Sequence, residues 1–91
     1  MFHLSGFKRD LLYVIGGTTD PSGTDIRDEL SEYYEDRITV GRLYPGLEEL
    51  VEAGYVEKAE TDGRANAYSL TPQGKRALEA RRAWEDDVAE W

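Results

Sequence analysis

The chain has 91 residues and a formal net charge of -8, enough for one small domain with a single core. It contains no cysteine, which excludes disulfides, thiolate metal sites and thiol-based redox sensing, and its one histidine, His3, leaves no histidine triad or metal cluster to assemble. No apolar run reaches membrane-spanning length and the first residues lack a signal-peptide pattern, so a cytoplasmic protein without membrane contact is expected.

Ser5 or Gly6 opens a first helix that runs through Ile15, with Phe7, Leu11, Val14 and Ile15 on one face. Gly16-Gly17-Thr18-Thr19-Asp20-Pro21 is a loop of breakers and turn formers. Ser22 caps a second helix, and Asp25, three positions on, gives a weak capping-box pattern. Ile26, Leu30 and Tyr33 form its buried stripe, and Glu35-Asp36-Arg37 ends it. Ile38 is expected to add a short strand before Thr39 caps the third helix.

In that helix Leu43, Leu47, Leu50 and Val51 recur at helical spacing, so one face packs inward. Gly54 can take the left-handed conformation that stops it, letting Tyr55 fold back over the last turn. Pro45 falls in the second turn, where it removes a donor and crowds the carbonyl of Gly41. Either the helix starts loosely or bends there, or Pro45 itself marks the helix start.

Val56-Glu57-Lys58-Ala59-Glu60 and Ala65-Asn66-Ala67-Tyr68-Ser69-Leu70 flank Thr61-Asp62-Gly63-Arg64, whose Asp-Gly pair is a strong hairpin turn. Tyr68 and Leu70 alternate to one side and should cover the core. Arg64 and Asn66 stand near the tip. Thr71 then caps a last helix with Pro72 in its first position, running nearly to Trp91. Ala77, Ala80, Trp84, Val88 and Trp91 form a stripe too long for the core to cover, and an exposed apolar patch calls for a partner. Dimerisation through Ala80, Trp84, Val88 and Trp91 is the simplest answer. The alternative is a helix folded back on the first one.

These elements describe an α+β winged helix-turn-helix over residues 1–71, with three helices and a two-stranded wing, followed by a dimerisation helix over residues 72–91. The architecture points to double-stranded DNA as the partner. The acidic charge argues against it, because DNA-binding domains are usually basic. Two explanations compete. One is a winged helix that binds protein, with Glu48, Glu49 and Glu52 facing a basic partner. The other is a salty cytoplasm, favoured because only Lys8, Lys58 and Lys75 among the eleven basic residues are lysines. At molar salt the Debye length is about 3 Å, so local arginines outweigh the global sum.

On DNA, Thr39, Arg42 and Tyr44 would lie closest to the bases. Arg42 is the candidate for a guanine contact, since its fork matches both acceptors on that edge. Arg37, Lys58 and Arg64 would hold phosphates, and Asn66 would touch the backbone or minor groove from the wing. Glutamates near this face imply cations held between protein and DNA. Catalysis is not expected: the glutamates of the third helix read as a solvated face, and Gly16-Gly17 lacks the Gly-Lys-Ser/Thr of a phosphate loop. No catalytic residue, resident metal or cofactor is assigned.

Arg42-Leu43-Tyr44-Pro45-Gly46-Leu47-Glu48-Glu49-Leu50 resembles the Leu-Tyr-Pro recognition-helix motif of PadR-like transcriptional regulators. Tyr68-Ser69-Leu70-Thr71-Pro72-Gln73-Gly74 is similar to their wing-to-helix junction. With the acidic composition, the resemblance suggests a haloarchaeal member. It implies a homodimer held by the C-terminal helix, bound to a two-fold operator and usually repressing. A single C-terminal helix in place of a longer helical domain speaks against a large effector pocket. No sequence feature names the operator, the regulated genes or an effector.

Overall fold

A computed structural model describes residues 3–60 and 66–89. The elements follow in the order α1 (Gly6–Gly16), α2 (Gly23–Tyr34), α3 (Val40–Glu52), β1 (Val56–Ala59), β2 (Ala67–Leu70) and α4 (Pro72–Val88). The strands are antiparallel, with Val56 opposite Leu70 and Ala59 opposite Ala67. This is the expected winged helix, extended by its C-terminal helix.

Ser5 caps α1 by accepting from the Lys8 amide at 3.3 Å. Leu11, Leu12 and Ile15 are buried, while Phe7 and Val14 are partly buried against the core. Leu12 lies outside the expected stripe because α1 is central: α2, α3, β2 and α4 all pack on it. Gly46 lets α3 come close, since a Cβ there would stand 3.0 Å from Leu11 and 3.3 Å from Phe7.

At the start of α2 both halves of the capping box form: Asp25 N–H donates to Ser22 Oγ (3.1 Å) and Ser22 N–H to Asp25 Oδ2 (3.0 Å). The inward stripe is Ile26, Leu30 and Tyr34. Tyr33, expected inside, is 77% exposed. The stripe advances by four residues at each step, which places the second tyrosine inward and the first in solvent. Tyr34 donates its hydroxyl hydrogen to Asp10 at 2.5 Å. The helix ends on Glu35 in the left-handed conformation (φ 55°), and Asp36 N–H returns to the Ser31 carbonyl at 3.2 Å.

Ile38 forms no strand. Its side chain is buried and its N–H donates to Ser31 Oγ at 3.0 Å. The extra β contact is elsewhere: Ser22, before α2, bridges Ala67, and Tyr68 N–H donates to the Pro21 carbonyl at 2.9 Å. Thr39 does precede α3, but through its backbone; its side chain makes no capping bond. Pro45 lies inside the helix, so α3 begins well before it. At the far end Gly54 (φ +85°) and Tyr55 close a Schellman turn, with Gly54 N–H on the Val51 carbonyl (3.0 Å) and Tyr55 N–H on the Leu50 carbonyl (3.1 Å).

Thr71 joins this turn to α4. Its hydroxyl donates to the Gly54 carbonyl (2.6 Å) and accepts from Gly74 N–H (3.0 Å), while its own N–H donates to the Tyr55 carbonyl (3.0 Å). Gly74 is buried where any Cβ would run into that Tyr55 carbonyl. Leu78 is buried and Ala77 packs against the core. Leu78 lies outside the expected stripe, so α4 has two faces: one closes the core, the other carries Ala80, Trp84 and Val88.

Candidate nucleic-acid interface

Helix α3 turns Leu43, Gly46, Leu47 and Leu50 inward. At about 3.6 residues per turn the opposite side is centred on Gly41, Pro45, Glu48 and Glu52. All four are exposed. Two flanks border this face, and they differ in chemistry.

The first flank faces α2 and the wing. Tyr44, 38% exposed, rests against Gly23 at the start of α2, where a Cβ would come to 2.6 Å from its hydroxyl. A side chain at Gly23 would therefore displace the Tyr44 ring from this position. Lys58 of β1 reaches back to α3 and donates to Glu48 Oε1 at 2.9 Å. The hydrogen bond and charge of Glu48 raise the Lys58 pKa, so the ammonium stays protonated. Tyr68 lies at the centre of this flank. Burial raises its hydroxyl pKa first, Lys58 opposes that, Glu48 and Tyr44 add to it, and a hydrogen bond from Asn66 lowers it. Tyr44, Glu48, Lys58, Asn66 and Tyr68 thus form one polar cluster between α3 and the wing.

The second flank faces α1. The Arg42 guanidinium stacks 4.0 Å from the centroid of the Phe7 ring, a cation–π contact. Beside it Lys8 forms an ion pair with Glu49. Arg37 and Thr39 are exposed on the approach to α3, and Arg37 N–H donates to Asp36 Oδ1 at 2.9 Å.

The expected contact residues therefore fall into three places. Tyr44, Lys58 and Asn66 come together at the wing flank, Arg42 is on the α1 flank, and Arg37 with Thr39 stands before the helix. Arg64, like Trp91 of the expected dimer stripe, is outside the described residues. Sequence reading missed two contacts at this surface. Glu48 holds Lys58 from ten positions away, and Gly23 makes room for Tyr44 from another helix; neither leaves a local pattern. Both lysines beside α3, Lys8 and Lys58, are bonded to its own glutamates. Among the described residues no group of histidine or acidic side chains is arranged to hold a metal, and no helix is long and apolar enough to cross a membrane.

On α4, Ala80 is exposed, with Trp84 52% and Val88 58% exposed. Arg81 stacks 4.6 Å over the Trp84 ring and lies 3.7 Å from Glu85. Tyr13 of α1 donates to Glu85 at 3.2 Å, and burial followed by Glu85 raises its pKa. The helix leans on α1 by its inner face while its aromatic stripe faces solvent.

The profile of the transcriptional regulator PadR-like family matches residues 11–80. The structure of RosR from H. salinarum, from crystals grown from NaBr, is 40% identical, with a TM-score of 0.88 over 98% of this chain and 82% of that one. Streptococcus pneumoniae FabT in complex with DNA superposes with a TM-score of 0.78 at 19% identity, over 94% of this chain and 57% of that one. A PadR family transcription regulator of Clostridium difficile does so at 0.70 and 22%, over 91% of each chain. The last two likenesses concern the fold alone. Comparison with curated proteins gives no match.

Proposed function

The chain is a DNA-binding transcriptional regulator of the PadR-like family and not an enzyme, and we propose that it works in a salty cytoplasm as a homodimeric repressor on a pseudo-palindromic operator. The carrying observation is the exposed outer face of α3 beside the wing, bordered by Tyr44 and Lys58. In this reading α3 enters the major groove, as recognition helices do, and α2 crosses the backbone. Thr39, Arg42 and Tyr44 lie nearest the bases; Arg37, Arg64 and Asn66 hold the backbone, while Lys58, expected there too, is bonded to Glu48. Arg42 must leave Phe7 to reach a guanine.

The dimer reading rests on the exposed Ala80, Trp84 and Val88, an apolar stripe on the end of α4 that the single chain leaves uncovered. Two copies paired through it, with Trp91 extending the contact, form an isologous interface. The acidic surface fits high salt, and similarity to a protein of H. salinarum supports that setting. Glu49, Glu57 and Glu60 would meet phosphate with cations held between the surfaces.

Hydroxyl-radical footprinting on genomic fragments tests the DNA geometry. Two protected half-sites should appear with centres about 34 Å apart, one helical turn. A single unpaired footprint would contradict the two-fold reading.

A further inference from the structure

The centre of the outer face of α3 carries no cation. Of its four residues, Gly41 and Pro45 offer no side-chain hydrogen-bonding group, and Glu48 and Glu52 offer carboxylates. Glu52 ends the helix, so Glu48 is the carboxylate farther along the face toward the N-terminal turns that a groove receives. Arg42, the residue chosen from sequence for base reading, is turned toward Phe7 on the far flank. Glu48 also has a partner that orients it: Lys58 donates to one of its oxygens at 2.9 Å, leaving the second to accept from elsewhere.

An ionised carboxylate only accepts hydrogen bonds. In the major groove guanine presents acceptors and thymine an acceptor with a methyl group, so both repel it; cytosine presents its N4 amine as a donor, whereas adenine sets its N6 amine beside an N7 acceptor that a carboxylate cannot satisfy and is repelled by. An uncompensated carboxylate would also be pushed away by phosphates on both strands. Lys58 supplies the compensating charge from the wing.

We propose that Glu48 is a base-reading residue that selects cytosine at one position of each half-site, and that Lys58 is its positioning residue and not an independent phosphate anchor. This rests on the DNA-binding reading above and names the determinant within the same surface.

Selection from a randomised duplex library with the full-length protein tests it, comparing wild type, Glu48→Ala, Glu48→Gln, Lys58→Met and Lys58→Arg. Glu48 and Lys58 are exposed and outside the core, so folding is expected to persist and circular dichroism checks it. Wild type should enrich cytosine at one column per half-site. Glu48→Ala should lose about tenfold discrimination in that column and leave the others unchanged. Glu48→Gln should move the preference to adenine, whose edge pairs with an amide. Lys58→Met should blur the same column, and Lys58→Arg should restore it. Enrichment by Glu48→Ala identical to wild type, or a uniform gain on all sequences, would overturn the assignment and leave the DNA-binding reading standing. A wild-type protein that enriches nothing would overturn that reading and the assignment with it.

Discussion

Tyr34 shows how one side chain ties helices together and what that implies for pH. Its hydroxyl donates to Asp10, joining α2 to α1. Burial first, then the hydrogen bond and charge of Asp10, push its pKa up from 10.0 to about 12. The folded state therefore favours the protonated phenol. Its stabilisation is fully present below pH 10.0 and is lost as pH rises through about 12, because the unfolded chain releases that proton first. Urea midpoints of wild type measured from pH 8 to pH 12 (about the full window) should fall at the alkaline end, and Tyr34→Phe should fall less. Parallel losses in the two proteins would remove Tyr34 as the cause. Tyr13 and Tyr68 are also raised, so only the difference between the curves belongs to Tyr34.

Elements with a local chemical signal were legible in the sequence. Ser22 with Asp25, Gly54 with Tyr55, and Thr71 with Pro72 each satisfy backbone groups within a few residues, and each formed as expected. Features decided by packing between distant segments were not legible. Tyr33 and Tyr34 are the same residue type side by side, and a stripe through Ile26 and Leu30 can continue to either by a step of three or four; Tyr34 is the one that meets Asp10 and Phe7 across the helix pair. The Ser22–Ala67 bridge joins a loop of turn formers to a strand it never neighbours in sequence, so Ile38 was the more visible strand candidate. At the proposed interface, composition and motif pointed to α3 and the wing, while the partnerships of Lys58 with Glu48 and of Arg42 with Phe7 required the fold. The same distinction governs α4. Its inner face, through Gly74 and Leu78, is needed for the core, so removal must start later. Truncation after Arg82 spares that face and deletes Trp84 and Val88. Full-length protein is expected to sediment at equilibrium as a dimer at micromolar concentration, and the truncated chain as a monomer. A monomeric full-length protein would eliminate the α4 interface.

At the scale of the whole molecule, a DNA-binding protein carries a net charge of -8. A basic regulator releases counterions as it binds, and its affinity falls steeply with salt. Here the lysines nearest α3 are committed to Glu48 and Glu49, and Glu57 and Glu60 are exposed on the β1 side of the wing. In the proposed complex, docking that surface on phosphate would take up cations, which would offset those released from the DNA. High salt also shortens the range over which the net charge repels DNA. Fluorescence anisotropy of a labelled operator duplex, titrated with full-length protein from low to molar potassium chloride, measures this balance directly. The expected logarithmic slope is shallow or positive, with specific binding retained at molar salt. A steep negative slope, like that of a basic regulator with several phosphate contacts, would contradict a cation-bridged interface, and absence of binding at every salt concentration would contradict DNA recognition by α3 and the wing.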